Sequence, residues 1–270
     1  METQPPPSAS DDTCPLKFSV VTVTYNAAPL IGRTIDSVER QNYDRIEHIS
    51  VDGNSADDTL VLIHRYQERN SRREVPREIV CRTEPDEGIY DAMNKALRLA
   101  TGDYVLFLNA GDTMHDDRVL EHIARDLGPQ RPPVVYGRTD IVDADGRFVR
   151  HRRLEPPARL DWRSLRGGML VCHQSFLART DLAQATPYDQ GYRFSADFDW
   201  CIRLLRKAEA ESLAPRNAGI IISDFLTGGT TTRHHRASLL ERFRIMARHY
   251  GRAAAVALHA WFAVRAVLKR

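Results

Sequence analysis

Three aspartates, Asp52, Asp112 and Asp197, stand at points where apolar strand-like runs or loops end. Asp112 is the clearest case, because the apolar run Tyr104–Leu108 leads into a short polar segment that this acid closes. In open α/β folds, ligands bind at the carboxyl ends of the strands. A carboxylate in such a place can ligate a hard cation such as Mg²⁺ or Mn²⁺, or take a proton from a reacting group.

Asp112 follows the small residues Ala110 and Gly111, so both backbone and carboxylate can approach a ligand. A structural alternative is that Asp112 caps the N-terminus of a helix predicted over Thr113–Leu127. Capping would not exclude metal binding, and both interpretations stay open on the residues alone.

The other two acids also have structural alternatives. Asp52 opens the turn-forming sequence Asp-Gly-Asn-Ser, where an Asx turn is common. Asp197 and Asp199 precede or begin a helix and are two residues apart, so they would not share one of its faces. One of them can face a site, walled by Trp200, while the other caps or pairs. Alternatively, both acids only complement the helix dipole.

The elements that must position these acids alternate along the first half of the chain. β-branched, apolar runs predict buried strands, and 3.6-residue spacing predicts helices. The predicted strands are 18–24, 46–51, 78–82 and 104–108, and the predicted helices are 31–41, 59–69 and 89–100. This alternation predicts a mostly parallel sheet with helices on both faces. The second half is less regular, with strands predicted at 134–136, 147–150 and 219–225 and helices at 198–210 and 238–248.

The composition, 42% hydrophobic and 27% charged residues over 270 positions, is ordinary for a globular protein. The net charge of +2 gives no indication of nucleic-acid binding, and none is expected. Four widely separated cysteines indicate a reduced, cytoplasmic protein, and their spacing does not match that of zinc ligands. Residues 1–15 are rich in Pro, Ser and Asp and are predicted to be a disordered tail, without a signal peptide.

Basic and apolar residues interleave from residue 236 to the end, where Glu241 is the single acid. This pattern predicts amphipathic helices over 236–270, separate from an α/β domain at 16–235. Such helices could lie on the inner face of the plasma membrane, pack on the domain or form a homodimer. The apolar stretch Ala253–Leu268 is too short and too interrupted for a membrane span.

Taken in order, these segments resemble family 2 glycosyltransferases of the GT-A fold. The matching segments are FSVVTVTYN, VDGNSADDT, EGIYDAMNKAL, GDYVLFLNAGD, HQ and ADFDW, over roughly Phe18 to Leu205. The resemblance is to enzymes that build bacterial polysaccharides or glycolipids, including the phenolic glycolipids of mycobacteria. It implies the GT-A fold, a Rossmann-like α/β architecture with a mostly parallel central sheet flanked by helices. It also implies that the catalytic domain at 16–235 has a nucleotide-binding half at 16–115 and an acceptor half at 116–235.

The resemblance also implies roles for individual residues. Asp112 would ligate Mn²⁺ or Mg²⁺ as the last acid of a D-x-D-like element, in which Asn109 and Gly111 replace acids. Asp197 would be the catalytic base, with Ala196 where a Glu is common. The expected nucleotide-binding residues are Thr24, Tyr25, Asn26, Asp52, Asp86, Asn109, Ala110 and Gly111. The residues expected at the donor sugar or acceptor are His173, Gln174, Asp199, Trp200 and Arg203.

Related enzymes have a loop that closes over the donor, matched here by 230–235. His234 or His235 is a second candidate metal ligand in that loop.

The function implied is an inverting, metal-dependent transfer of a sugar from a nucleotide-diphosphate donor to a glycan or lipid-linked acceptor. UDP is the most frequent nucleotide in the family. A sugar-phosphate nucleotidyltransferase is a second hypothesis, although the turn after Tyr25 lacks the glycine-rich phosphate loop of such enzymes. A degenerate module that binds nucleotide sugars without catalysis is a third, supported by the missing acids at Asn109 and Gly111.

Overall fold

This computed structural model describes residues 15–228 and 235–268, and it describes the side chains of all of these except 235 and 263–268. A nine-stranded sheet runs through this part of the chain. The strands are β1 (Phe18–Thr24), β2 (Ile46–Asp52), β3 (Glu78–Thr83), β4 (Tyr104–Phe107), β5 (Thr113–Met114), β6 (Val134–Val142), β7 (Phe148–His151), β8 (Phe176–Arg179) and β9 (Arg216–Leu226). The helices are α1 (Ala28–Glu39), α2 (Thr59–Ser71), α3 (Ile89–Leu99), α4 (Val119–Leu127), α5 (Thr180–Gln184), α6 (Ala196–Ala210), α7 (His235–Tyr250) and α8 (Arg252–Leu268). Two short 3₁₀ helices lie at Ser164–Gly167 and His173–Ser175.

The first half of the sheet is parallel, in the order β3-β2-β1-β4, as the alternation of strands and helices predicts. β1 and β2 are buried along their whole length because apolar and β-branched residues face helices on both sides. Their register pairs Thr24 with Asp52, so the two strands end side by side. The expected fold class, a mostly parallel α/β sheet flanked by helices, is confirmed.

The second half of the sheet continues as β8-β6-β9-β5, with β7 paired to the outer part of β6. β8 runs antiparallel to both β4 and β6, while β6 and β9 are parallel. The helix predicted over Thr113–Leu127 is wrong in its first turn. Thr113–Met114 forms β5 against β9, and α4 begins only at Val119, so Asp112 is not a helix cap.

The C-terminal helices share the core of the domain. Ile245 and Met246 of α7 and Ala255 of α8 belong to the same buried cluster as Trp200 of α6. The boundary expected at residue 235 therefore separates segments that pack together. Among the described residues, none of the helices combines the length and the apolar character needed to cross a membrane.

Candidate active site

An open cleft of about 570 Å³ lies at the carboxyl ends of β1, β2 and β3. The parallel strands end together here, so the loops that follow them form its walls. The residues that line it are Tyr25, Gly53, Asn54, Pro85, Asp86, Glu87, Gly88 and Arg193. The structure thus brings together Tyr25 and Asp86, which the sequence predicts at the nucleotide, and adds Arg193 from a distant loop.

Close packing at Gly53 shapes this cleft. A Cβ atom at Gly53 would lie 2.3 Å from Oδ2 of Asp86 and 3.4 Å from the ring of Tyr25. Only glycine therefore permits the Asp86 carboxylate to sit so near the β2 turn. The Tyr25 ring is 68% exposed, which leaves an aromatic surface free beside the cleft.

Asp52 forms the Asx turn that its sequence context suggests. Its Oδ2 accepts a hydrogen bond from the backbone N–H of Ser55 at 2.8 Å. Its Oδ1 accepts from the hydroxyls of Ser55 at 2.5 Å and Thr24 at 2.9 Å. The carboxylate is fully buried beneath the cleft and fixes the ends of β1 and β2. A direct contact between Asp52 and a nucleotide stays a prediction.

Asn26 makes the first turn after β1 possible. Its backbone has a φ of 48°, in the left-handed region that Asn tolerates better than most residues. The Asn26 side chain accepts a hydrogen bond from the N–H of Ala56, and its own N–H donates to the Ser55 hydroxyl. Thr24 and Asn26 thus order the loops that carry the cleft.

Asp112 lies buried between two loops and the end of β9. Its Oδ1 accepts the N–H of Leu226 at 2.9 Å, and its Oδ2 accepts the Gln174 amide at 2.8 Å. The Thr34 hydroxyl of α1 accepts the N–H of Gly111 and donates to the Asp112 carbonyl, which holds the turn. Gly111 has a φ of 101°, and a Cβ there would meet the Leu226 side chain at 2.8 Å. Glycine is therefore required at this position.

Burial raises the pKa of the Asp112 carboxyl to about 7, and its two hydrogen bonds only partly offset that effect. Nearby, Oδ1 of Asn109 is buried without a hydrogen-bond partner. An uncompensated carboxylate and an orphaned amide oxygen both offer oxygen ligands, which Mg²⁺ and Mn²⁺ prefer. The residues present therefore fit the cation that the resemblance implies, with Asp112 as its acid and Asn109 beside it.

Asp197 lies in the first turn of α6, where its carboxylate is partly exposed. The Tyr90 hydroxyl donates a hydrogen bond to Oδ1 of Asp197 at 3.2 Å. Burial, followed by the charge of Asp197, raises the pKa of Tyr90 well above its usual value, so the phenol remains a donor. Asp197 is thus a half-buried aspartate with one oriented carboxylate oxygen.

Of the two aspartates in the first turn of α6, Asp199 has a structural role. It is fully buried, and it accepts hydrogen bonds from Arg203 at 2.5 Å and from His249 of α7 at 2.7 Å. Arg203 therefore pairs within the helix, and Trp200 is fully buried. The alternative in which one aspartate faces a site while the other pairs matches this geometry. Contacts of Asp199, Trp200 and Arg203 with a sugar stay predictions.

His173 belongs to an aromatic core. Its ring stacks on Phe107 at 5.2 Å between centroids, and its Nε2 lies 2.7 Å from the Tyr188 hydroxyl. Burial lowers the pKa of His173 to about 4, so the ring is neutral near pH 7. This environment favours a structural role for His173, whereas its neighbour Gln174 reaches Asp112.

Arg152 lies near the candidate base, Asp197, which the sequence did not indicate. The Arg152 guanidinium donates to the carbonyls of Leu154, Met169 and Leu170. Burial lowers the pKa of Arg152, and the charge of Asp197 acts in the opposite direction, which places the guanidinium within electrostatic reach of that acid. No local pattern marks Arg152, because its partners lie in loops that only the fold brings together.

Glu241 fixes the loop in front of Asp197. Its carboxylate accepts the N–H groups of Arg193 and Phe194, each at 2.8 Å. In the sequence, Glu241 is distinguished only as the single acid between residues 236 and 270. His234 lies outside the described residues, and so does the side chain of His235, so the proposed ligands of the 230–235 loop remain predictions.

Comparisons with known proteins identify the family and the fold. The family model described as "Glycosyl transferase family 2" matches residues 19–184. A PGL/p-HBAD biosynthesis glycosyltransferase of Mycobacterium bovis is 31% identical over 188 residues, which cover 69% of this chain and 68% of the relative.

Two solved structures share the fold at low identity. S. aureus TarS 1-349 in complex with UDP-GlcNAc is similar with a TM-score of 0.66 and 17% identity, over 92% of this chain and 72% of that one. The mannosyltransferase PcManGT from Pyrobaculum calidifontis, in complex with GDP-Man and Mn²⁺, has a TM-score of 0.62 and 17% identity, over 97% and 79% of the two chains.

Proposed function

The chain belongs to glycosyl transferase family 2, and from this premise we propose that it moves a sugar from a nucleotide-diphosphate donor to a hydroxyl of a glycan or glycolipid. The proposed reaction inverts the anomeric carbon in a single displacement. The observation that carries the proposal is the division between the two acids. Asp112 is buried and has no salt bridge among the described residues, whereas Asp197 is half-buried and oriented by Tyr90.

The cleft beside Tyr25 is the proposed nucleoside site, and UDP is the proposed nucleotide. Its volume of about 570 Å³ is within the range of small-molecule sites. The exposed Tyr25 ring offers a face on which a base can stack. Asp86 and Arg193 offer a carboxylate and a guanidinium at the rim for the polar groups of the nucleoside or diphosphate.

Asp112, with Asn109 beside it, is the proposed holder of Mn²⁺ or Mg²⁺. When bound, such an ion neutralises the charge that grows on the departing nucleotide diphosphate. The Gln174 amide and the Leu226 N–H keep the carboxylate of Asp112 in place. The chain itself therefore fixes the position of this acid.

Asp197 is the proposed general base. An acceptor hydroxyl is a weak nucleophile, and a carboxylate within hydrogen-bond reach can take its proton as it attacks the anomeric carbon. Tyr90 holds one oxygen of Asp197. Hydrogen bonds from the loop before α6 to the Glu241 carboxylate fix the start of that helix. Asp199 cannot replace Asp197 in this task because Arg203 and His249 already bind it.

A lipid-linked acceptor would be met at a membrane surface, and α7 and α8 carry features that suit peripheral contact. Leu240, Val256 and Trp261 are exposed on these helices, and Arg244 and Arg252 line a groove between them. Apolar and cationic side chains together favour an anionic lipid surface. Vesicle co-sedimentation with and without anionic lipid would test this association, and a concentration-dependent dimer would instead support self-association.

Thermal-shift measurements with UDP, GDP and their sugars, with and without Mn²⁺, test the donor. We expect one nucleotide to raise the melting temperature only when the ion is present. Asp112→Asn should lose this shift, whereas Asp197→Asn should keep it and lose transfer. Transfer by Asp197→Asn at the wild-type rate would refute the assignment of the base.

A further inference from the structure

Four charged or titratable side chains form a row across the outer strands of the sheet. The cross-strand register pairs His151 of β7 with Asp140 of β6, and Asp140 with Asp224 of β9. Asp224 in turn pairs with Thr113 of β5, and His115 follows two residues later on the same face. The row therefore reads His, Asp, Asp, His over four strands, and none of its members has a role in the proposed transfer.

The two central acids are placed unfavourably unless a positive charge lies between or beside them. Asp140 and Asp224 stand opposite each other on neighbouring strands, where like charges destabilise a sheet. Asp140 is buried, so solvent screens its charge only weakly. When both histidines are neutral, the row carries two negative charges and no cation of its own.

Distances within the row suit a single ion. Ligand atoms of His115, Asp140 and Asp224 all lie within 4.8 Å of one another. Nδ1 of His115 is 2.8 Å from Oδ1 of Asp224. Ligands around a tetrahedral zinc ion are about 3.4 Å apart, given metal–ligand bonds of about 2.0–2.1 Å. Small side-chain rotations would therefore convert the row into a coordination shell.

We propose that His115, Asp140 and Asp224 bind a divalent transition-metal ion, with zinc as the preferred occupant, at a site separate from that of the donor. One imidazole nitrogen and two carboxylate oxygens are ligands that Zn²⁺ accepts, and a three-ligand set leaves a position for water. His151 supports the set from outside, because its Nδ1 lies 2.8 Å from Oδ1 of Asp140 and can orient that carboxylate.

The ion would tie together three strands next to the proposed donor site. Asp224 is two residues before Leu226, whose N–H binds Asp112, and β5 directly follows Asp112 in the chain. Cross-linking β5, β6 and β9 would therefore fix the strand end that holds Asp112. The proposed metal site needs no nucleotide, so metal binding there can be tested independently of the proposed transfer reaction.

Metal binding to the full chain without nucleotide tests the proposal. After treatment with EDTA, the protein is titrated with Zn²⁺ against a chromophoric chelator, and with Co²⁺ while the visible absorption of the ion is recorded. We expect a single ion per chain and a Co²⁺ spectrum of low-coordinate nitrogen and oxygen ligation. His115→Gln and Asp224→Asn should abolish both signals, and His151→Gln should weaken binding roughly 10–100-fold.

The controls separate this site from the others. His64→Gln removes an exposed histidine on α2, far from the row, and should bind zinc like the wild type. Asp112→Asn should also keep nucleotide-free zinc binding. Zinc binding that His115→Gln leaves unchanged would overturn the proposal. A wild-type chain without zinc affinity, or an Asp112→Asn chain that has lost it, would overturn the proposal as well. Because His115 is an exposed residue, its variant remains informative if Asp224→Asn does not fold.

Discussion

Asp112 and Asp199 are both buried aspartates, but their surroundings shift the pKa of the two carboxyl groups in opposite directions. Burial raises the pKa of Asp112, whose hydrogen-bond donors are a neutral amide and a backbone N–H. Burial would also raise the pKa of Asp199, but hydrogen bonds from His249 and Arg203 outweigh it and lower the pKa. Asp199 is therefore held by Arg203 and His249, whereas Asp112 has no salt bridge among the described residues and feels only the more distant charge of Arg33.

The raised pKa of Asp112 predicts how the cation-free protein responds to pH. The folded state keeps the Asp112 proton up to about pH 7, whereas an unfolded Asp has a pKa of 3.8. This contribution to stability is present at low pH and is lost as pH rises through 7. Asp112→Asn should therefore melt several degrees above the wild type near pH 8, with a smaller gain near pH 5. An equal difference at both pH values would contradict this.

Tyr90 is predicted to act as a positioning residue for Asp197. Tyr90→Phe keeps the ring that stacks on Tyr188 but removes the hydroxyl that binds Asp197. Loss of one orienting hydrogen bond, about 1 kcal/mol, should lower kcat about fivefold. KM for the donor should stay unchanged, and the melting temperature should fall by no more than about 2–4 °C. A rise in the donor KM with an unchanged kcat would place Tyr90 at the donor instead.

At the scale of elements, the sequence was most informative where local patterns are long. β1 occupies the seven residues predicted for it, and α3 ends one residue before its predicted end, because burial on both faces and 3.6-residue spacing leave strong patterns. β5 has two residues and therefore no period of its own. It is a strand only because β9 pairs with it, and that partner lies about a hundred residues further along the chain.

The sequence allowed candidate site residues to be named, but it did not give their arrangement. Asp112 and Asp197 stand out as acids at the ends of elements. The contacts that distinguish their roles are with Gln174, Leu226 and Tyr90, each at least 60 residues away in the chain. Only the tertiary structure brings such partners together, so the spacing of residues in the sequence does not predict these contacts.

Glu47 joins β1, β2 and the start of β4 at the edge of the sheet away from the cleft. Its buried carboxylate accepts the N–H groups of Thr101 and Gly102 and pairs with Lys17 at 3.0 Å. Burial would raise the pKa of Glu47, but hydrogen bonds led by that from Ser19 lower it overall. The stabilisation is therefore present above the unfolded pKa of 4.5 and is lost as pH falls.

Glu47→Gln should destabilise the protein by about 1–3 kcal/mol near neutral pH, because buried N–H donors lose their acceptor. Urea unfolding measures this, and the difference from the wild type should shrink below about pH 4. Glu78→Gln is the matched control, since Glu78 also pairs with Lys17 but is exposed. An equal loss in both variants would show that the buried acceptor has no special role.

At the scale of the whole molecule, α7 packs on the domain and contacts the surroundings of Asp197. Glu241 of α7 holds the loop before Asp197, and His249 at the other end of the same helix holds Asp199. Ile245 and Met246, between them, are buried in the main core. α7 therefore spans α6 and braces the proposed base from two points.

Glu241→Ala is predicted to loosen that brace without unfolding the sheet. The N–H groups of Arg193 and Phe194 would lose their acceptors, so their hydrogen exchange should accelerate. Transfer should slow, while donor-induced thermal shifts should remain. Glu68→Ala, at an exposed position of α2, is the control and should change neither quantity. Unaltered exchange at 193–194 in Glu241→Ala would show that the brace is dispensable.

The same brace has a consequence for the order in which the protein matures during synthesis. A ribosome releases the strands of the sheet and then α6 before it releases α7, so Asp197 emerges well before Glu241 and His249 exist to hold it. We expect a nascent chain stalled before α7 to leave the 193–197 loop open to protease, and one stalled after α7 to protect it. Equal cleavage of the two stalled chains would show that the loop orders without the helix. The arrangement around the proposed base would accordingly form only after α7 has left the ribosome.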